Sequence, residues 1–110
     1  MASNNFKKIK YLYHKKDSFI AYHKIEGKSP GIIFLHGLRS DMDGQKAIAL
    51  ETYAKKKGLS FIRFDFRGHG KSSGQFHNFG ITDWIEDMLL ILEKLTVSPQ
   101  ILVGSSMGGW

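Results

Sequence analysis

Three short strand-like runs dictate the architecture of this chain: the unbroken apolar Ile32-Ile33-Phe34-Leu35 and Ile101-Leu102-Val103, and residues 59–66 between them. A half-solvated strand alternates apolar and polar residues, whereas an unbroken run of this length reads as a strand buried on both faces, as in a parallel sheet covered by helices. The segments between the runs carry the helical period. Gln45–Lys57 places Ala47, Ile48, Leu50, Tyr53 and Ala54 on one face. Lys55-Lys56-Lys57 suits the negative end of that helix, and Gly58 suits the position just past it. Residues 83–95 place Ile85, Met88, Leu89, Leu92 and Leu95 on one stripe, with Asp83 and Glu86 near the positive end. Val97-Ser98-Pro99 stops this helix.

Ahead of the first run, residues 6–26 alternate loosely, with Tyr11, Tyr13, Phe19, Ile20, Tyr22 and Ile25 as strand formers. Lys15-Lys16-Asp17-Ser18 reads as the turn between two antiparallel strands, and Gly27-Lys28-Ser29-Pro30-Gly31 breaks the pattern. The expected order is a hairpin, then strand, helix, strand, helix, strand. That is an α/β fold with a mostly parallel sheet, right-handed crossovers and helices on both faces. The last strand is expected to lie at an exposed apolar edge.

At 110 residues, 42% hydrophobic and 24% charged, the composition is that of one ordinary globular domain and excludes disordered and collagen-like chains. Without cysteine there is neither a disulfide framework nor a thiolate metal site. The net charge of +6 is uneven: residues 1–28 hold seven lysines against Asp17 and Glu26. Such a start suits a solvated hairpin face or a basic binding surface; no nucleic-acid signature accompanies it, and no nucleic-acid partner is expected. No apolar run approaches the roughly 18 residues of a membrane span. The polar start, Met-Ala-Ser-Asn-Asn, argues against a secretory signal, so a cytoplasmic protein is expected.

Chemistry concentrates in three places. Gly104-Ser105-Ser106-Met107-Gly108 follows the third run directly and fits G-x-S-x-G. Small residues there permit a sharp strand-to-helix turn that lifts the Ser106 hydroxyl above the sheet edge, with the Met107 N–H at the positive end of the next helix. Alone, the same pattern also fits a glycine-rich turn without chemistry. His36-Gly37-Leu38 follows the first run, where His36 by itself reads as a turn histidine bonded to backbone. Asp65-Phe66-Arg67-Gly68-His69-Gly70-Lys71-Ser72 follows the second run as a tight, charged turn. Gly70-Lys71-Ser72 is not a nucleotide loop, because Asp65 stands where a P-loop needs glycine and no helix follows at once. His69 and His77 read as surface histidines. Trp84 and Met88 read as helix packing, and Phe76 and Phe79 as loop anchors or the border of an acyl pocket.

In this order and spacing, Leu35-His36-Gly37, Asp65-x-Arg67-Gly68-His69-Gly70-x-Ser72 and Gly104-x-Ser106-x-Gly108 resemble the N-terminal half of an α/β-hydrolase. The stretch from Pro99 to Trp110, with Ile62-Arg63-Phe64-Asp65, is most similar to the branch of palmitoyl-protein thioesterases and acyl-glucuronide esterases with its bacterial relatives. The resemblance implies a serine esterase or thioesterase. Ser106 would be the nucleophile, and the Leu38 and Met107 amides the oxyanion hole. His36, Gly37, Asp65, Gly68, Gly70, Ser72, Gly104 and Gly108 would be structural motif residues. Residues 1–110 would form the N-terminal part of a single hydrolase domain, ending just after the nucleophile elbow. No cofactor or metal is implied. The partner is a small-molecule ester or thioester, with a companion chain carrying the rest of the fold. In this fold the triad acid and histidine follow the serine, whereas the histidines at 14, 23, 36, 69 and 77 all precede it. The chain alone is therefore expected to be inactive. The other function classes are a catalytically inactive remnant and a basic binding module.

Overall fold

The computed structural model describes residues 8–105. Its elements are β1 (Lys10–Lys15), β2 (Ser18–Ile25), β3 (Lys28–Leu35), α1 (Gln45–Lys57), β4 (Leu59–Phe64), α2 (Ile81–Leu95) and β5 (Gln100–Gly104), with one 3-10 turn at Phe76–Asn78. The five strands form one sheet in the order β1-β2-β4-β3-β5. β1 and β2 are the expected antiparallel hairpin, and β2 continues antiparallel to β4. β3, β4 and β5 are parallel, with Leu35 beside Phe64 on one side and Gly104 on the other. β3 starts four residues earlier than the apolar run indicates. Its register with β4 shifts between Lys28 and Ile32, so Pro30 sits where the regular ladder is interrupted and no N–H is needed.

The chain winds from β3 outward to β4, then crosses back to β5 on the far side of β3. Right-handed crossovers in opposite directions put the two helices on opposite faces. Ile32, Phe34 and Phe61 bury against Ala47 and Ala54 of α1. Ile20, Ile33, Ile62 and Phe64 bury against Trp84 and Ile91 of α2. The period-2 alternation along β3 and β4 thus feeds two cores. At the sheet edge, β5 leaves Ile101 and Leu102 about half exposed.

Both helices rotate away from the faces the sequence suggests. On α1, Ile48 and Tyr53 are exposed, while Ala47, Glu51 and Ala54 are buried. The cause is Arg63, in the middle of β4 and 1% exposed. Its Nε donates to Glu51 Oε1 at 2.7 Å, and its Nη1 to the Met42 carbonyl and Asp43 Oδ1 at 2.8 and 2.7 Å. A buried guanidinium demands a buried carboxylate, so Glu51 takes the inward position. On α2, Ile85 and Leu89 are exposed and the inward stripe is Trp84, Asp87 and Ile91, because Asp87 answers Arg67. α2 also begins two residues earlier than the charge pattern suggests. The Asp83 carboxylate accepts the Gly80 N–H at 2.8 Å and closes the first turn.

Candidate functional site

Three loops meet at the carboxyl ends of β3, β4 and β5, the edge at which parallel α/β sheets place their ligand sites. The first begins at His36, 1% exposed. His36 Nδ1 lies 2.7 Å from the Gly37 carbonyl, and Nε2 accepts the Phe66 N–H at 3.0 Å. The ring therefore ties the end of β3 to the end of β4 as a neutral imidazole with both nitrogens engaged. Leu38 and Arg39 then turn the chain, closed by the Ser40 N–H on the Gly37 carbonyl at 3.0 Å. Arg39 has φ +62°, the one positive φ at a non-glycine among the described residues, which with a negative φ at Leu38 makes a type II turn. Leu38 is half exposed, and no hydrogen bond among the described residues engages its N–H.

The second loop follows β4. The Asp65 carboxylate accepts the Met42 N–H at 2.7 Å and the Lys71 N–H at 2.8 Å, and the Ser72 hydroxyl donates to the Asp65 carbonyl while accepting the Ala21 N–H. Burial pushes the Asp65 carboxyl above its ordinary range, against the pull of the two amides. Arg67 docks on α2: its N–H and Nε donate to Asp87, and Nη2 donates to Glu86 Oε1 at 2.8 Å and the Asp83 carbonyl at 3.0 Å. Gly70 has φ +47°, and a Cβ there would stand 2.2 Å from Asp65 Oδ2. Gly70→Ala is expected to destabilise the protein by about 1–3 kcal/mol through backbone strain and displacement of that carboxylate. An unchanged urea midpoint would contradict this.

His69 is buried rather than a surface residue, whereas His77 is exposed. The His69 ring fills a pocket of aromatic faces, with centroids 4.8 Å from His36, 5.3 Å from Phe76 and 5.4 Å from Trp84. Burial, with His69 beside it, lowers the His36 pKa from 6.5 to about 4. Between those values the unfolded chain binds a proton that the folded chain does not. The His36 contribution to stability is therefore full above pH 6.5 and is lost as pH drops toward about 4, while Asp87, whose carboxyl is raised by burial to about 6, acts in the opposite sense. The expected His36 share is up to about 3 kcal/mol, read as the difference in urea midpoints between the native chain and His36→Gln across pH. His36→Gln should flatten that limb; an equally steep limb in the variant would contradict the assignment.

The third loop leaves β5. The Ser105 N–H donates to the Leu35 carbonyl at 3.0 Å, carrying the β3–β5 ladder one residue past Gly104, and Lys46 Nζ lies 3.3 Å from Ser105 Oγ. A cleft of about 260 Å³ opens here between His36, Gly37, Ser40, Lys46 and Ser105. Ser106, Met107 and Gly108 lie outside the described residues.

The sheet order and the loops after β3 and β4 together suit one fold family, and its sequence profile, that of the alpha/beta hydrolase fold, matches residues 30–110. The chain belongs to the alpha/beta hydrolase family. Among curated relatives, the mitochondrial palmitoyl-protein thioesterase ABHD10 is 48% identical over 91 residues in Rattus norvegicus and 50% over 91 residues in Homo sapiens. The match covers 83% of this chain and 31% and 30% of those proteins, so the chain spans about a third of their length. The solved structure of mouse alpha/beta hydrolase domain-containing protein 10 superposes with a TM-score of 0.90 at 44% identity, covering 94% of this chain and 41% of that one. A hydrolase structure from Agrobacterium vitis S4 gives 0.84 at 38% identity, covering 96% and 42%.

The relatives' names overturn the expectation of a cytoplasmic hydrolase and point to mitochondria instead. That expectation rested on a polar start, which argues only against secretion; mitochondrial targeting uses amphipathic, acid-poor segments without an apolar stretch. Among the described residues, no helix is long and apolar enough to cross a membrane.

The sequence pattern missed Arg39 and the Arg63–Glu51 pair. The second had a signal: a charge inside an otherwise apolar run, in residues 59–66, requires a counter-charge on the covering helix. The first had none, because an arginine at positive φ is set by what surrounds it.

Proposed function

We propose that this chain supplies the nucleophile and the oxyanion donors of a serine hydrolase that cleaves carboxylic ester or thioester bonds, with long-chain acyl thioesters as the preferred class. The observation that carries the reading is the register of β3 and β5. Leu35 lies beside Gly104, and Ser105 still pairs with Leu35, so β5 ends beside the loop whose Leu38 N–H no group among the described residues accepts. The G-x-S-x-G spacing assigns Ser106 as nucleophile and Met107 as the second donor. The thioesterase names of the relatives favour a thioester substrate.

In the reaction, Ser106 Oγ attacks the acyl carbonyl. The carbonyl oxygen takes up negative charge between the Leu38 and Met107 amides, where fixed donors stabilise it more than water does. Collapse expels the thiol or alcohol and leaves an acyl-serine, which water then hydrolyses. A histidine must take the Ser106 proton and pass it to the leaving group. His36 and His69 are not that base, because both nitrogens of each ring are engaged with backbone. The base and its acid are assigned to sequence beyond the span matched here, as the order in this fold requires.

The test is to join this chain to the segment that follows the matched span in the human relative and to measure palmitoyl-thioester turnover. The joined protein is expected to hydrolyse the thioester, and the 110-residue chain alone to hydrolyse neither it nor a short p-nitrophenyl ester. A folded joined protein without turnover on either substrate would overturn the reading.

A further inference from the structure

The strand formers at the start of the chain build a hairpin with two unlike faces. Along β1, Leu12 packs against the core shared with α2. Period-2 alternation turns Tyr11 and Tyr13 to the opposite face, the one that α1 covers further along the sheet. α1 packs on β4 and β3, and at the β1 end Tyr11 and Tyr13 stay 47% and 60% exposed. Their rings meet Phe19 of β2 at centroid distances of 5.4 and 5.3 Å. An aromatic stripe thus lies open where a solvated hairpin face would be polar.

The stripe leads to a basic tip. Lys15 closes β1 and Lys16 forms the turn; both are exposed, and neither pairs with a carboxylate among the described residues. By contrast Lys24, Lys55 and Lys71 meet Glu26, Glu51 and Asp43. The register fixes where the tip points. Tyr22 of β2 lies beside Phe64, the Asp65 N–H donates to the Ala21 carbonyl at 2.9 Å, and the Ser73 N–H donates to the Phe19 carbonyl at 3.1 Å. The tip therefore projects from the carboxyl edge of the sheet, the edge of the candidate site. Arg39 and Lys46, in the loops of the same edge, also pair with no carboxylate among the described residues, which leaves a surplus of cations over Asp17 and Asp41.

We propose that the β1–β2 hairpin docks this chain on an anionic phospholipid surface, with Tyr11 and Tyr13 at headgroup level, Lys15 and Lys16 against lipid phosphates, and the carboxyl edge of the sheet turned toward the bilayer. Tyrosine suits that depth, because its ring is apolar and its hydroxyl stays hydrated. Lysine stems lie along apolar surface while their charged heads reach the phosphates. Lys10 and Lys15 on the outermost strand also oppose the other occupant, a strand of a second copy, since edge lysines discourage edge-to-edge pairing. Docking needs only this surface; its use, bringing the site to acyl chains held in the bilayer, rests on the proposed hydrolase reading.

The test is co-sedimentation of the 110-residue chain with vesicles of phosphatidylcholine alone and of phosphatidylcholine mixed with phosphatidylglycerol. Binding to the mixed vesicles is expected, falling as salt is raised, with little binding to phosphatidylcholine. Lys15→Gln with Lys16→Gln should weaken it about 25-fold, about fivefold for each lysine near the surface. Tyr11→Ser with Tyr13→Ser should weaken it at unchanged charge. Lys56→Gln with Lys57→Gln removes the same charge beside the start of β3, at the opposite end of the sheet, and should leave binding nearly unchanged. Equal losses in the two lysine pairs would assign the binding to net charge and overturn the docked face, as would binding indifferent to the tyrosines. Absence of binding to the mixed vesicles, stronger binding to single-stranded RNA, or a dimer that Tyr13→Ser dissolves would overturn it too. None of these readouts involves turnover, so their failure leaves the hydrolase reading standing, and a joined protein without turnover leaves the docking standing.

Discussion

Arg63→Met is expected to destabilise the protein by about 3–5 kcal/mol, the usual consequence of removing one partner of a buried ion pair. Methionine fills much of the volume, so the loss is electrostatic. Glu51, 2% exposed, would keep a carboxylate inside the sheet–helix core with Lys55 Nζ at 3.5 Å and His23 Nε2 at 3.9 Å in place of the 2.7 Å guanidinium bond. The Met42 carbonyl would lose its donor as well, freeing the loop whose Met42 N–H holds Asp65. Urea unfolding of the single variants and of Arg63→Met with Glu51→Met measures this. The double variant should recover a large part of the loss, since a pair replaced together leaves no orphaned charge. Strictly additive losses would show that the two side chains do not act as a unit.

Leu38→Pro is expected to lower kcat of the joined protein by about 100- to 1,000-fold while leaving its stability nearly unchanged. Proline is favoured at position i+1 of a type II turn, the position Leu38 holds, and the leucine side chain is half exposed, so little packing is lost. What disappears is one N–H that no group among the described residues accepts. Leu38→Ala, which keeps the amide, is the control and should retain most of the activity. Equal rates for Leu38→Pro and Leu38→Ala would remove Leu38 from the oxyanion site.

Much of this architecture was legible because it rests on local periodicity. The runs at 32–35, 59–66 and 101–103 mark three parallel strands, and the helical period between them marks α1 and α2. Which side of each helix faces the sheet was not legible from apolar residues alone. Ile48, Tyr53, Ile85 and Leu89 point outward because buried Arg63 and Arg67 bring Glu51 and Asp87 inward, and that requires knowing which strand each helix covers. His69 was misread for the same reason. A polar ring between glycines looks solvated until Phe66, Phe76 and Trp84 close around it, and only the fold brings those three together. The serine motif was visible as spacing, but that Gly104 lies beside Leu35 follows from the β3–β5 register, a pairing across 69 positions of sequence that no local pattern specifies.

The central claim is that Ser106 is the nucleophile of an acyl hydrolase. The measurement that tests it most directly is rapid-quench mass spectrometry of the joined protein mixed with a palmitoyl thioester, alongside its Ser106→Ala variant. The account predicts a transient palmitoyl adduct on the peptide containing Ser106, and neither adduct nor turnover in the variant. An adduct on another residue, or turnover that survives Ser106→Ala, would contradict it.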